Sequence, residues 1–260
     1  MARIMRGWFL VVTLLSVACN ARRAPPPPHV TAQAVAASSA AQAEPAGPIR
    51  IERLAGADPP VFVMRGEPRG RGRIVFLHGM CGHGLGYAQS FQFSASVRGT
   101  LIAPQADVSC GGEWSKWSAN LEKLDARIIE TFRALGHPEP IDDIVIIGMS
   151  QGATRAVELA RKWPERYTRL ISMDAPTALR AGELRTLKAA VMMAGERDRQ
   201  DLMRQSERAL RSTGVPVTFV LIPEATHGAM GPTPELTMGK AFAFLEAPTS
   251  PSPPNPPVVE

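Results

Sequence analysis

The sequence predicts an α/β domain built on a mainly parallel, eight-stranded sheet with helices on both faces. Two observations carry this. Short apolar runs alternate with longer amphipathic ones, the pattern of strand–helix–strand crossovers. A chain of 260 residues with 45% hydrophobic side chains can bury one large, fully covered sheet but hardly two such domains. In chain order the strands are expected at 49–54, 60–65, 73–77 and 99–103, then at 143–147, 168–173, 189–194 and 216–222. The helices are expected at 86–96, 115–135, 151–163, 200–213 and 233–246. Helix 115–135 is the clearest: Trp117, Leu121, Leu124, Ile128, Phe132 and Leu135 recur at spacings of three and four and form one apolar stripe. That stripe makes Trp117 a core residue. Helix 151–163 is stopped by Pro164.

The termini read differently. Arg3 and Arg6 precede the apolar run Gly7–Val17, and Ser16-Val17-Ala18 supplies the small residues of a cleavage site, so residues 1–18 read as an export signal. The run is shorter than the roughly 20 residues of a spanning helix. Arg22-Arg23 follows it, so it is not a twin-arginine signal. Cleavage after Ala18 leaves Cys19 first, and "LLSVAC" resembles the lipobox of bacterial lipoproteins, except that Ser16 stands where that motif usually has Leu, Val or Ile. A lipid on Cys19, an ordinary secretory leader and an uncleaved anchor stay open. Residues 19–48, with "APPPPHV" and an Ala-rich stretch, read as a disordered tether with a span on the order of 30 Å. The Pro-rich tail 248–260 reads the same way, leaving 49–247 as the folded domain. Without Arg3 and Arg6 the chain has 27 basic and 24 acidic residues, a balance too weak to indicate nucleic acid. The sequence carries no zinc-type spacing, phosphate-cradling loop or internal repeat.

The stretch "IVIIGMSQGATRAVELA" (144–160) places Ser150 between Gly148 and Gly152 where a strand must reverse into a helix. A serine hydroxyl needs a base to take its proton and donors to stabilise the oxyanion it creates. A sharp strand-to-helix turn exposes the hydroxyl and presents the next N–H, that of Gln151, at the positive end of a helix. The turn crowds the positions two before and two after, hence the glycines. In folds with this turn the triad follows the order serine, acid, histidine. Of His29, His78, His83, His137 and His227, only His227 lies downstream, in "EATHGAM" after the last strand. Asp198, just after strand 189–194, is the expected acid; Asp174, Asp201 and Glu196 are alternatives. The loop "LHGMCGHGLGY" should supply a second oxyanion donor, the N–H of Met80, with His78 a structural residue and His83 facing solvent.

"LHGMCGHG", "GMSQGA", "GERD" and "THG", in this order and spacing, resemble the α/β-hydrolase superfamily over residues 50–246; "GxSQGA" and "APQ" are similar to its dienelactone-hydrolase, carboxylesterase and thioesterase-like branches. The resemblance implies an α/β-hydrolase fold, triad roles for Ser150, Asp198 and His227, and an oxyanion hole of Met80 and Gln151. It implies no metal and no organic cofactor. About 15 residues separate the strand ending near Asp174 from the one starting near Ala189, which excludes a sizeable lid there. Cys81 and Cys110 fall in neighbouring loops at one sheet edge, so a disulfide between them is expected to pin the oxyanion loop. Trp114 either lines an acyl pocket or packs on the helix start. The expected activity is that of an exported serine esterase (EC 3.1.1) acting on a small-molecule or polymer ester, touching a membrane only through an N-terminal lipid. A peptidase or amidase on the same triad, and a non-catalytic envelope-binding protein, are the alternatives.

Overall fold

A computed structural model describes residues 49–66 and 72–247. The expected signal (1–18), tether (19–48, with Cys19) and tail (248–260) lie outside the described residues.

The main strands are β1 (Ile51–Arg53), β2 (Val61–Met64), β3 (Gly72–Leu77), β4 (Gly99–Pro104), β7 (Ile144–Met149), β8 (Arg169–Met173), β9 (Ala189–Gly195) and β10 (Val217–Ile222). They form one sheet in the order β1-β2-β4-β3-β7-β8-β9-β10. Every pairing from β4 to β10 is parallel, and the two pairings made by β2 are antiparallel. The side chains alternate between two cores. On β3, Val75 and Leu77 join one cluster while Ile74 and Phe76 join the other; on β9, Ala190 and Met192 face one side, Val191 and Met193 the other. A strand apolar on both faces must be covered on both. Helices α3 (Leu121–Ala134), α4 (Gln151–Lys162) and α5 (Gln200–Arg211) cover the first face; α1 (Gly84–Gln89), α2 (Gln92–Ser96) and α6 (Pro234–Glu246) cover the second.

Two expected helices are corrected. The segment 86–96 is two short helices, α1 and α2, separated at Ser90-Phe91. The long helix begins at Leu121 rather than 115, with the Asn120 side chain accepting from the Lys123 N–H at 2.9 Å. The residues before it form a hairpin of β5 (Val108–Gly111) and β6 (Trp114–Lys116), turning through Gly111-Gly112. Trp117 is buried as expected, but ahead of the helix. The connection from β8 to β9, residues 174–188, contains no helix or strand.

Candidate active site

The carboxyl ends of β3, β4, β7, β8, β9 and β10 lie along one edge of the sheet, so the loops that leave them converge there. Ser150 stands at the β7–α4 turn with φ 51° and ψ −116°, a conformation costly for a residue with a Cβ. Its N–H is held by the Met173 carbonyl at 2.9 Å. The two flanking glycines are steric necessities. A Cβ on Gly148 would meet the Gly152 carbonyl oxygen at 2.3 Å, and one on Gly152 would meet the Leu77 oxygen at 2.0 Å.

His227, in the loop after β10, places Nε2 3.0 Å from Ser150 Oγ and Nδ1 2.7 Å from Asp198 Oδ2. Asp198 comes from the turn after β9, which the Arg197 N–H ties to the Ala225 carbonyl beside His227 at 2.9 Å. Burial alone would raise the Asp198 pKa, but the Arg199 N–H and the imidazole outweigh it and hold the carboxyl below the ordinary range. The other expected acids are engaged elsewhere: Glu196 accepts from the Glu224 N–H, and Asp201 pairs with the Arg199 guanidinium. Asp174 lies close by, with a carboxylate oxygen within 4.8 Å of one polar atom each of Asp198 and His227. Asp174, Asp198 and His227 are also the one group among the described residues with metal-like spacing. The imidazole Nδ1 and Asp198 Oδ2 are, however, already bonded to one another, and both Asp174 oxygens accept backbone N–H groups.

The loop after β3 is locked beside Ser150. A Cβ on Gly79 would lie 3.4 Å from that of Ser150. His78 is fully buried; its Nε2 accepts from the Ala106 N–H at 3.1 Å, which leaves Nδ1 to donate to the Gly79 carbonyl at 2.7 Å. The Gly82 N–H donates to the same carbonyl. In a trans peptide the N–H points opposite to the C=O. Fixing the Gly79 oxygen against His78 therefore aims the Met80 N–H away from the loop interior. The Trp117 indole N–H holds the His78 carbonyl at 2.7 Å, and the Gln151 side chain makes a two-way clamp on the Trp117 backbone.

Burial drives the His78 pKa down to about 4 from an ordinary 6.5. The unfolded chain therefore binds the extra proton between those values, so stability rises with pH from 4 to 6.5 and is lost as the pH falls through that window. The contribution is roughly 3 kcal/mol. Urea unfolding at pH 7 and pH 4.5 should show this loss in the wild type and a flatter dependence in His78→Gln.

Cys81 and Cys110 are disulfide-bonded, which joins the β3 loop to the hairpin beside the Gly82–Ser115 bridge. Closing a loop across a sequence separation of 29 stabilises by about 3.6 kcal/mol. Reduction, or replacement of both cysteines by serine, should lower the urea midpoint correspondingly and loosen the Met80 peptide.

Further side chains surround the site. Gln105 is buried, accepts from the Gly84 N–H and brings its amide NH₂ within hydrogen-bonding distance of the Gly82 carbonyl and Ser115 Oγ. "APQ" was its signal. His83 does not face solvent freely; it packs between Phe62 and Trp114. Trp114, 55% exposed, lines, with these two, a groove of about 480 Å³.

No protein-family model matches the chain, and no curated protein sequence matches it. Solved structures do. A bacterial membrane phospholipase A described as a virulence factor is similar at TM-score 0.57 and 16% identity, over 76% of this chain and 86% of that one. Carboxylesterase CesB of Bacillus subtilis is similar at 0.56 and 14%, over 78% and 94%. The fluorophosphonate-binding serine hydrolase F of Staphylococcus aureus is similar at 0.56 and 12%, over 76% and 99%. Likeness at such identities is one of fold, and the chain has the α/β-hydrolase fold.

Proposed function

We propose that this protein is a serine hydrolase that cleaves carboxylic esters or related acyl bonds. The observation that carries the reading is the unbroken chain of hydrogen bonds from Ser150 through His227 to Asp198, 3.0 and 2.7 Å long, at the loop edge of the sheet. On this reading His227 Nε2 takes the Ser150 proton as Oγ bonds to the acyl carbon. The tetrahedral oxyanion rests on the N–H groups of Gln151 and Met80. His227 returns the proton to the leaving alkoxide, and the alcohol departs. Water then attacks the acyl-enzyme, giving its proton to His227; collapse releases the acid, and Ser150 recovers its proton. Asp198 holds the imidazole in the tautomer with the proton on Nδ1 and stabilises its cation.

The side chain of His227 is 53% exposed, which favours substrates reached from open solvent, short acyl groups or bulky accessible esters. The proposal extends to location: an exported protein with residues 1–18 as leader and Cys19 as the candidate for lipidation, on a tether of residues 19–48. The Cys81–Cys110 disulfide fits an oxidising compartment.

A p-nitrophenyl ester series on the full-length chain tests the activity. The expected result is turnover with an initial burst of p-nitrophenol stoichiometric with protein. Hydrolysis at the buffer rate across the whole series would leave the binding-protein alternative.

A further inference from the structure

Asp174, the residue that follows β8, is 2% exposed and has φ 46°, left-handed backbone that a residue with a Cβ adopts at a cost. Its N–H is held by the Met193 carbonyl at 3.0 Å. Its two oxygens then accept from two different segments. Oδ1 takes the N–H of Gly195, at the end of β9 and three residues before Asp198, at 3.0 Å; Oδ2 takes the N–H of Gly228, the residue after His227, at 3.2 Å. One polar atom each of Asp174, Asp198 and His227 lies within 4.8 Å of the others.

We propose that Asp174 is a positioning residue for proton transfer, clamping the segments that carry Asp198 and His227 and setting, through its charge, the pH at which His227 works. The inference rests on the serine-hydrolase reading above. Among the described residues, three titratable groups face Asp174: Asp198 from the β9 turn, His227 from the β10 loop and Tyr87 from α1, whose phenol is pushed up by burial and then by the Asp174 charge. An ionised carboxylate this close to an imidazole favours the imidazolium over the neutral ring. Burial, the largest influence on Asp174, raises its own pKa against the two N–H bonds that lower it; the neighbouring Asp198 raises it further. A carboxyl that only tied two loops together would not need to stand beside the imidazole, and an amide would serve a single loop as well.

The test is Asp174→Asn in the full-length chain. Loss of one acceptor should lower kcat/KM about tenfold. Loss of the charge should move the acid limb of the kcat/KM profile down by about one pH unit. A drop in activity with an unmoved acid limb overturns the proposal, because it reduces Asp174 to a structural tie. If the variant does not fold, an NMR titration of His227 in Asp198→Asn, where Asp174 is the remaining carboxylate, gives the same reading. A His227 pKa above 6.5 supports the proposal, and one at or below 6.5 overturns it. The titration needs no turnover, so an inactive wild type would count against the serine-hydrolase reading while still testing the effect of Asp174.

Discussion

Replacing Ser150 by alanine is expected to lower ester turnover by about 10⁶-fold while leaving the fold in place. The effect is this large because the hydroxyl is the one group through which the acyl bond would be exchanged, so its loss removes the covalent step rather than weakening it. The fold should survive because Oγ bonds to His227, whereas the strained turn is held through the backbone, by the Met173 carbonyl and by the α4 N–H groups that bond to the Ser150 carbonyl. Alanine satisfies both. Circular dichroism and a thermal midpoint close to the wild type, with hydrolysis near background, are the expected pair of results. Retention of more than a few per cent of turnover would remove Ser150 from the reaction.

Replacing Asp198 by asparagine is expected to cost about 10⁴-fold in kcat. The Asp198 carboxylate accepts from Nδ1 at 2.7 Å, which leaves Nε2 free to receive the Ser150 proton. An amide can present its NH₂ to Nδ1 instead, and the proton then moves to Nε2, where it blocks the transfer. The pH dependence follows from the charges. Asp198 is held below the ordinary carboxylate range, so it stays ionised throughout the interval in which an imidazole titrates. Activity should rise with pH along an acid limb set by deprotonation of His227, with no separate loss from Asp198 until the pH is far lower. Steady-state kinetics of the variant against pH check both points.

The strands were the most legible part of the fold, because central parallel strands are apolar on both faces. "IVIIGM" and "AAVMMAG" could hardly be anything else, and their observed ends differ from the expected ones by only a residue or two. The helix errors have physical causes. Trp117 falls on the apolar stripe of Leu121 and Leu124, so periodicity alone extends the helix back to it. Its indole N–H and its backbone are instead spent on His78 and Gln151, and Asn120 starts the helix one turn later. The hairpin before it is signalled by Gly111-Gly112 between Cys110 and the Glu113-Trp114 pair and is masked by that same stripe. The segment 86–96 keeps one apolar face across a break in its backbone, because Ala88, Phe91 and Ala95 all enter one core.

Ser150, His227 and Asp198, which the structure brings within hydrogen-bonding reach of one another, are positions that chain order and strand ends constrain in the sequence. The choice among the acids was harder. Glu196, Asp198 and Asp201 lie within six residues, and only the path of the turn, tied by Arg197 to Ala225, selects the second. Asp174 was visible as an acid at a strand end. That it serves both neighbouring segments at once depends on the lengths and curvature of two loops, which no spacing rule encodes. The partners of Gln105 and the tautomer of His78 stay hidden for the same reason, since those partners lie in other loops.

One measurement bears most directly on the roles proposed for Ser150, His227 and Asp198. The full-length protein is treated with a fluorophosphonate, digested, and the adduct mapped by mass spectrometry. A single adduct on the peptide containing Ser150, formed faster as the pH rises through the imidazole range, is the predicted result. No adduct, or an adduct confined to another residue, would contradict it.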